Sequence, residues 1–285
     1  MSHPSLLIAN PTLVAEKVIA MQEKGADGLH ILADFDSTLT KSLYQWDPVP
    51  SIISLLYTGD YLSDAYRKEA KTLADHYYPI EMDHSIAAMD KKVAMVDWWE
   101  KHLELLIQSK LSLRDIERLV TDKRLQLRDK TMPLFQLLQE NAIPLIIISA
   151  SGIGGDSIGL FLNNNKLLFD NICIVWNTFM RDKTGYAIGR NLPLIHSLNK
   201  SEVVLIEFSA IYAKIQDRKN VILLGDSPHD VDMMQWIDHD VCIKIWFCND
   251  NTPEKIQLFS SLYDVVILDD GDMGYPLELL KNICI

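Results

Sequence analysis

Ile31-Leu32-Ala33-Asp34-Phe35-Asp36-Ser37-Thr38-Leu39-Thr40 is an apolar run that ends in two aspartates two residues apart, followed by small hydroxyl side chains. A short continuous apolar run is what a strand buried on both faces of a parallel sheet looks like. In open α/β sheets, ligands sit beyond the carboxyl ends of such strands. On extended backbone, residues i and i+2 point to the same side, so both carboxylates can face one pocket. Two carboxylates that close resist ionising together unless a cation stands between them. Magnesium, a hard ion that seeks oxygen ligands, suits that place. The same ten residues also fit a strand followed by an Asx turn with Asp36 as a helix cap, and the motif alone does not separate the two.

Two more apolar runs end in the same kind of chemistry. The run from Ile143 to Ile148 stops at Ser149-Ala150-Ser151-Gly152. There a hydroxyl, the following backbone N–H groups and a glycine-rich turn (Gly152, Gly154, Gly155) entering a helix suit an anion. The run from Asn220 to Leu224 stops at Gly225-Asp226-Ser227-Pro228-His229-Asp230, with two carboxylates four residues apart. Asn199-Lys200 falls between them. Taken singly, Ser149 reads as a cap, Asp226 as a turn residue and Lys200 as a surface charge. Their order along the chain, with three of the four closing apolar strands, favours a shared function.

Around these runs, helical spacing covers residues 11–24, and the apolar runs 172–176, 241–247 and 265–268 read as strands. A polar hairpin is expected around Asp182-Lys183-Thr184-Gly185, and helices over 131–141 and 203–216. Strands alternating with helices predict an α/β fold with a doubly wound parallel sheet, Rossmann-like. Residues 41–128 break the alternation with helical patterns over 61–77, 89–109 and 112–123, the last with Ser112 as N-cap. That is too long for an unstructured loop in a compact domain. The expected division is a core from 1–40 and 129–285, with an inserted helical cap over 41–128.

The composition narrows the function. The chain has 285 residues, 48% hydrophobic and 23% charged, ordinary for a globular protein. Its net charge of −12 argues against a nucleic-acid or anionic-membrane partner. A small anionic substrate remains compatible, since a metal and one lysine can invert the local field. The cysteines Cys173, Cys242, Cys248 and Cys284 form no C-x-x-C pair and read as reduced thiols. With no long apolar run and no basic leader, a cytoplasmic monomer is expected.

In its four motifs, Asp34-Phe35-Asp36-Ser37-Thr38, Ser149, Lys200 and Gly225-Asp226-Ser227-Pro228-His229-Asp230, the chain resembles the haloacid-dehalogenase-type (HAD) phosphohydrolases. It is further similar to the cytosolic pyrimidine 5′-nucleotidase family of the 5′-nucleotidase III type. That likeness is carried by Tyr77-Tyr78-Pro79-Ile80-Glu81-Met82-Asp83, Met95-Val96-Asp97-Trp98-Trp99 and Leu198-Asn199-Lys200, and runs from about residue 12 to the C-terminus. The resemblance implies a HAD core with a C1-type cap and a Mg²⁺-dependent phosphoric monoester hydrolase acting on nucleoside 5′-monophosphates, CMP and UMP foremost. Asp34 would be the nucleophile and Asp36 the acid/base. Mg²⁺ would be held by Asp34, Asp226 and the Asp36 carbonyl, with Asp230 as a further ligand or an orienting group. Lys200 would pair with the nucleophile and the phosphate, while Ser149 and the Ala150 N–H would bind a phosphoryl oxygen.

The resemblance also carries Glu81 over as the reader of the base edge, and Trp98, Trp99 and Tyr44 could supply stacking surfaces. Three places depart from the family pattern: His102 replaces a serine near the base, the Ser149 turn is longer, and Ser201-Glu202 follows Lys200. His102 is therefore a candidate base contact. Rival readings are a phosphatase for a sugar phosphate or phosphoserine, a nucleoside phosphotransferase, and a non-catalytic interaction protein on the same fold. Retention of Asp34, Asp36, Ser149, Lys200 and Asp226 together weighs against the last.

Overall fold

A computed structural model describes residues 6–49, 51–83, 85–151, 153–200, 209–235 and 238–284. Its elements begin with β1 (Leu6–Ile8), α1 (Pro11–Gln22), β2 (Leu29–Ala33) and the two-residue strands β3 (Leu43–Tyr44) and β4 (Asp47–Pro48). Helices α2 (Ile52–Thr58), α3 (Asp64–Met82), α4 (Ala88–Gln108) and α5 (Leu113–Leu119) follow. Then come α6 (Thr131–Glu140), β5 (Leu145–Ile148), α7 (Gly154–Asn164), β6 (Ile172–Val175), β7 (Phe179–Arg181) and β8 (Ala187–Arg190). The chain closes with α8 (Ser209–Ile215), β9 (Asn220–Gly225), β10 (Val241–Phe247), α9 (Pro253–Ser260), β11 (Val265–Ile267) and α10 (Gly274–Ile283). The amino-terminal part of the helix expected over 203–216 lies outside the described residues, as does Gly152.

Seven strands form one sheet in the order β1-β11-β10-β9-β2-β5-β6. All pairings are parallel except β1 with β11. That antiparallel edge strand is absent from the sequence reading, because three residues with no partner in view carry no periodic signal. The parallel core is the expected α/β architecture. Alternation along each strand divides the core in two: Ile31, Ile147, Ile222 and Ile245 face one apolar cluster, while Leu32, Ile146, Leu223 and Trp246 face the other. Helices cover both faces, which is why these strands read as unbroken apolar runs.

The sequence stretch between β2 and α6 is mainly helical. Ser63 caps α3 by accepting from the Tyr66 N–H (3.3 Å). Ser112 and Asp115 form a capping box that starts α5. Helix α3 runs on through Pro79 for most of a turn, past the expected end at Tyr77. α3 packs on α4, while α2 and α5 pack on α7. The expected hairpin around Asp182–Gly185 is the turn between β7 and β8. Among the described residues, no helix is long and apolar enough to cross a membrane.

Candidate active site

The central strands β2, β5 and β9 deliver their polar ends to one place. Asp34 leaves β2 with its N–H donating to the Leu224 carbonyl (3.1 Å), which locks it beside the end of β9. Gly225 is required there: a Cβ would come within 2.6 Å of the Asp230 Cβ and 2.9 Å of the Tyr263 hydroxyl. Ligand atoms of Asp34, Asp226 and Asp230 all lie within 4.8 Å of one another.

Lys200 answers this negative charge. Its ammonium donates to Asp34 Oδ1 (2.6 Å) and Asp230 Oδ1 (2.8 Å), with all three side chains buried. The other Asp230 oxygen accepts from the N–H groups of Asp226 (3.1 Å) and Ser227 (3.0 Å), so this carboxylate is engaged at both ends. The Asp226 carboxylate accepts no hydrogen bond among the described residues. Asp34 and Asp226 are thus the oxygens best placed for a cation, with Asp230 orienting the loop and the lysine. Burial and then the neighbouring carboxylates push Asp226 well above the usual range. A carboxylate so raised, with no donor of its own, fits a divalent ion: the ion would replace the missing neutralising charge.

The two aspartates of the opening motif are treated differently. Burial raises Asp34 to about 6, opposed by the charge of Lys200. Burial and then the Asp34 charge raise Asp36 to about 7, where no ammonium bonds it. Its Oδ1 accepts instead from the Ile52 N–H (2.8 Å), the first residue of α2. The Asp36 carboxyl does not belong to the three-carboxylate group. The ordinary value for both is 3.8, so the fold keeps one carboxyl paired and leaves the other able to carry a proton near neutral pH.

Ser149 is buried at the end of β5, and its hydroxyl accepts from the Ser151 N–H (3.1 Å). Together with Ala150 it lines a cavity of about 470 Å³ that contains Asp34, Asp36, Lys200, Asp226 and Asp230. A second cavity of about 610 Å³ adjoins it, and the two share Ser51, Ile53, Tyr78, Glu81, Trp99, Ala150 and Ser197. Both volumes are in the range of small-molecule sites. The Ser197 hydroxyl donates to Glu81 Oε1, and Lys91 Nζ donates to the Glu81 carbonyl (2.9 Å).

The wall of the second cavity is aromatic. Tyr77, Trp98, Trp99 and His102 form a series of near-parallel rings whose centroids lie 5.8 Å apart at each step. Lys101 and Asp97 both bond the Tyr77 hydroxyl at one end. At the other end, His102 is buried behind Trp99 and its Nε2 is engaged by the Tyr66 hydroxyl (3.1 Å). Burial pushes His102 down to about 4, so it is neutral at physiological pH. His102 lines this cavity and stacks on Trp99. Tyr44 is not among the lining residues of either cavity; it sits in the β3–β4 ribbon.

Sequence reasoning missed Ile52, Ser197, Asn249 and Arg128. Ile52 acts through its backbone, which no side-chain pattern reveals. The others become neighbours of the site only through the folded loops.

Residues 37–284 match the pyrimidine 5′-nucleotidase (UMPH-1) family. A 7-methylguanosine phosphate-specific 5′-nucleotidase of Homo sapiens is 34% identical over 280 residues, covering 98% of this chain and 92% of that protein. Its Drosophila melanogaster counterpart is 31% identical, covering 91% and 81%. The crystal structure of a cytosolic 5′-nucleotidase IIIB bound to cytidine superposes with a TM-score of 0.89 at 29% identity, covering 98% of this chain and 93% of the other. A phosphoserine phosphatase shares the fold, with a TM-score of 0.51 at 16% identity, covering 88% and 97%.

Proposed function

Because the chain belongs to the pyrimidine 5′-nucleotidase (UMPH-1) family, a 5′-nucleotidase family on the HAD-like fold, we propose that it hydrolyses nucleoside 5′-monophosphates through an aspartyl-phosphate on Asp34. The observation that carries this reading is the continuity of the two cavities. One end offers Asp34, Lys200 and Ser149 to a phosphate, and the other offers Glu81 and Trp99 to a base. In the first step an Asp34 oxygen bonds to phosphorus and the P–O5′ bond breaks. Asp36, able to hold a proton near neutral pH, gives it to the departing O5′. In the second step Asp36 takes a proton from water, whose oxygen attacks the phosphorus of the aspartyl-phosphate and releases inorganic phosphate and free Asp34. Lys200 keeps Asp34 ionised for attack and offsets charge on the phosphoryl oxygens, with Ser149 and the Ala150 N–H as donors to them. Asp34, Asp226 and the Asp36 carbonyl would hold Mg²⁺, which supplies further neutralisation of the phosphoryl group when bound.

For the base, the relatives named as 7-methylguanosine phosphate-specific suggest 7-methylguanosine monophosphate, and the aromatic wall supports it. N7-methylation leaves guanine with a positive ring, and a cation over tryptophan gains about 0.5–2 kcal/mol. The guanine N1–H and amino group can both donate toward the Glu81 carboxylate. A second reading is CMP, favoured by the cytidine in the similar structure and by the donor amino group of cytosine. Uracil has no such amino group, which ranks UMP last. We assign residues 41–128 the role of a cap over the core formed by 1–40 and 129–285, since Glu81 and both tryptophans come from that segment.

The test is phosphate release from 7-methyl-GMP, GMP, CMP, UMP and phosphoserine, each with Mg²⁺ and with EDTA. Turnover of 7-methyl-GMP above GMP, lost in EDTA, is the expected result. Faster turnover of phosphoserine than of any nucleotide would overturn the substrate class, and activity untouched by EDTA would overturn the metal.

A further inference from the structure

Arg128 has no part in the steps above, yet its contacts lead to the acid/base. Its side chain has no exposure, and its guanidinium carbon lies 4.4 Å from the Phe247 ring centroid. Every N–H of the fork is used. Nε donates to the Thr38 carbonyl (2.8 Å), and Nη1 to Asp270 Oδ1 (2.9 Å) and the Gly271 carbonyl (2.7 Å). Nη2 donates to the Ser37 carbonyl (2.5 Å) and Asn249 Oδ1 (2.8 Å). Ser37 and Thr38 are the two residues directly after Asp36.

Ser37 has φ +58°, a left-handed conformation that a side chain disfavours. Something must hold it. Its carbonyl is gripped twice, by Arg128 and by Asn249 Nδ2 (3.1 Å), and its N–H donates to Thr40 Oγ1 (2.9 Å). The same Asp270 that faces Arg128 accepts from the Ser42 N–H and hydroxyl and from the Leu43 N–H. Arg128 donates its own N–H to the Leu39 carbonyl, and Thr40 bridges Leu127. The strand leaving Asp36 and the strand returning from α5 are therefore clamped together around one guanidinium.

We propose that Arg128 is a positioning residue, which aims the Asp36 carboxyl at the leaving oxygen by holding the left-handed turn at Ser37; this rests on the reading of Asp36 as acid/base. Lysine keeps the charge opposite Asp270 but lacks the planar five-donor fork, so Arg128→Lys separates aim from charge balance.

The experiment compares wild type, Asp36→Asn, Arg128→Lys and Asn249→Ala in single-turnover release of the leaving group, which reads P–O cleavage before Asp36 acts on water. The substrates are a nucleoside monophosphate and p-nitrophenyl phosphate, whose stable leaving anion needs little protonation. A mispositioned catalytic group costs on the order of 10²-fold. Arg128→Lys is therefore expected to lose about that factor in the single-turnover rate on the nucleotide, with half-saturation near wild type and a much smaller loss on the aryl ester. Asp36→Asn should show the same selectivity more strongly, and Asn249→Ala more weakly. Equal losses on both substrates in Arg128→Lys, beside selective loss in Asp36→Asn, would overturn the role of Arg128 alone. Equal losses in Asp36→Asn would remove the acid/base reading and the inference with it. Should Arg128→Lys fail to fold, judged by its thermal melt, the substrate selectivity of Asn249→Ala decides in its place.

Discussion

Replacing Lys200 by methionine tests the charge balance of the site in a way that runs against intuition. With Asp34, Asp226 and Asp230 ionised, three carboxylates face one ammonium, leaving two negative charges that a single divalent ion would cancel. In Lys200→Met three negative charges remain. The carboxylate oxygens lie within 4.8 Å of one another, and unit charges at that separation interact by about 3 kcal/mol at an effective dielectric constant near 20, which sets the scale of one pairwise interaction in the cluster. Removing one partner of a buried ion pair costs about 3–5 kcal/mol. In EDTA the variant should therefore melt well below wild type, by roughly 6–10 °C at about 2 °C per kcal/mol for a chain of this size. Its affinity for Mg²⁺ should rise, because the competing cation is gone. A gain of about 3 kcal/mol is roughly 10²-fold in Kd, and linkage turns it into a larger thermal shift on adding Mg²⁺. The assay is a thermal melt across an MgCl₂ titration, with NaCl at matched ionic strength as control. Mg²⁺ should raise the variant's Tm by about 6 °C more than it raises wild type's, while activity stays low. An equal or smaller shift in the variant would refute the view that these carboxylates and Lys200 form one cation-balanced site.

Asp34→Asn should abolish phosphate release from every substrate with a melting temperature close to or above wild type, since it also lightens the negative cluster; residual turnover near wild type would sink the covalent route. Burial lowers His30 and His102 from 6.5 to about 4, so the unfolded chain takes up protons that the folded chain refuses. Their stabilisation is complete above pH 6.5 and is lost as pH falls toward 4, by about 3 kcal/mol for each. Urea unfolding between pH 7 and 4 should fall less steeply in His102→Phe than in wild type, and identical slopes would contradict the assignment. Glu81→Gln keeps a partner for Ser197 but removes the charged acceptor, worth about 1.5–3 kcal/mol. KM for 7-methyl-GMP should rise at least tenfold while p-nitrophenyl phosphate hydrolysis is unchanged, and an unaltered KM would take Glu81 out of base reading.

The convergence of the strand ends on one cavity was readable in the sequence because buried parallel strands advertise themselves. Ile31–Ala33, Leu145–Ile148 and Asn220–Leu224 are apolar on both faces, and the polar residue that stops each run is the one the sheet presents at its carboxyl edge. Lys200 was readable only through its order among those motifs. Its two partners are 166 and 30 residues away, and no local pattern distinguishes it from a surface lysine. His102 shows how side-chain partners stay hidden. Its place in the family pattern suggested a base contact, and the fold puts it on the lining of the second cavity, stacked on Trp99, with the Tyr66 hydroxyl from α3 engaging its Nε2, a partner the sequence does not reveal. Arg128 was invisible for a further reason: all five of its acceptors are backbone or side-chain groups on loops whose course the sequence does not encode locally.

The hydrogen bond from Ile52 to Asp36 joins two parts of the function that the sequence presents separately. Asp36 belongs to the strand end, where the phosphate chemistry is expected, while Ile52 opens the first helix of the inserted segment. Ser51 and Ile53, on either side of it, line both cavities, as does Glu81 on the following helix. An N–H at a helix start favours the ionised carboxylate, and this bond lowers the Asp36 value against the burial and the Asp34 charge that raise it. Moving α2 away from the core would remove that restraint and leave the Asp36 carboxyl free to rotate. On the proposed roles, the proton donor would be held by this contact while the segment that carries Glu81 lies against the core. A bound base that holds that segment in place also holds the acid, and this gives a physical reason for one inserted block to decide which phosphate ester is cleaved.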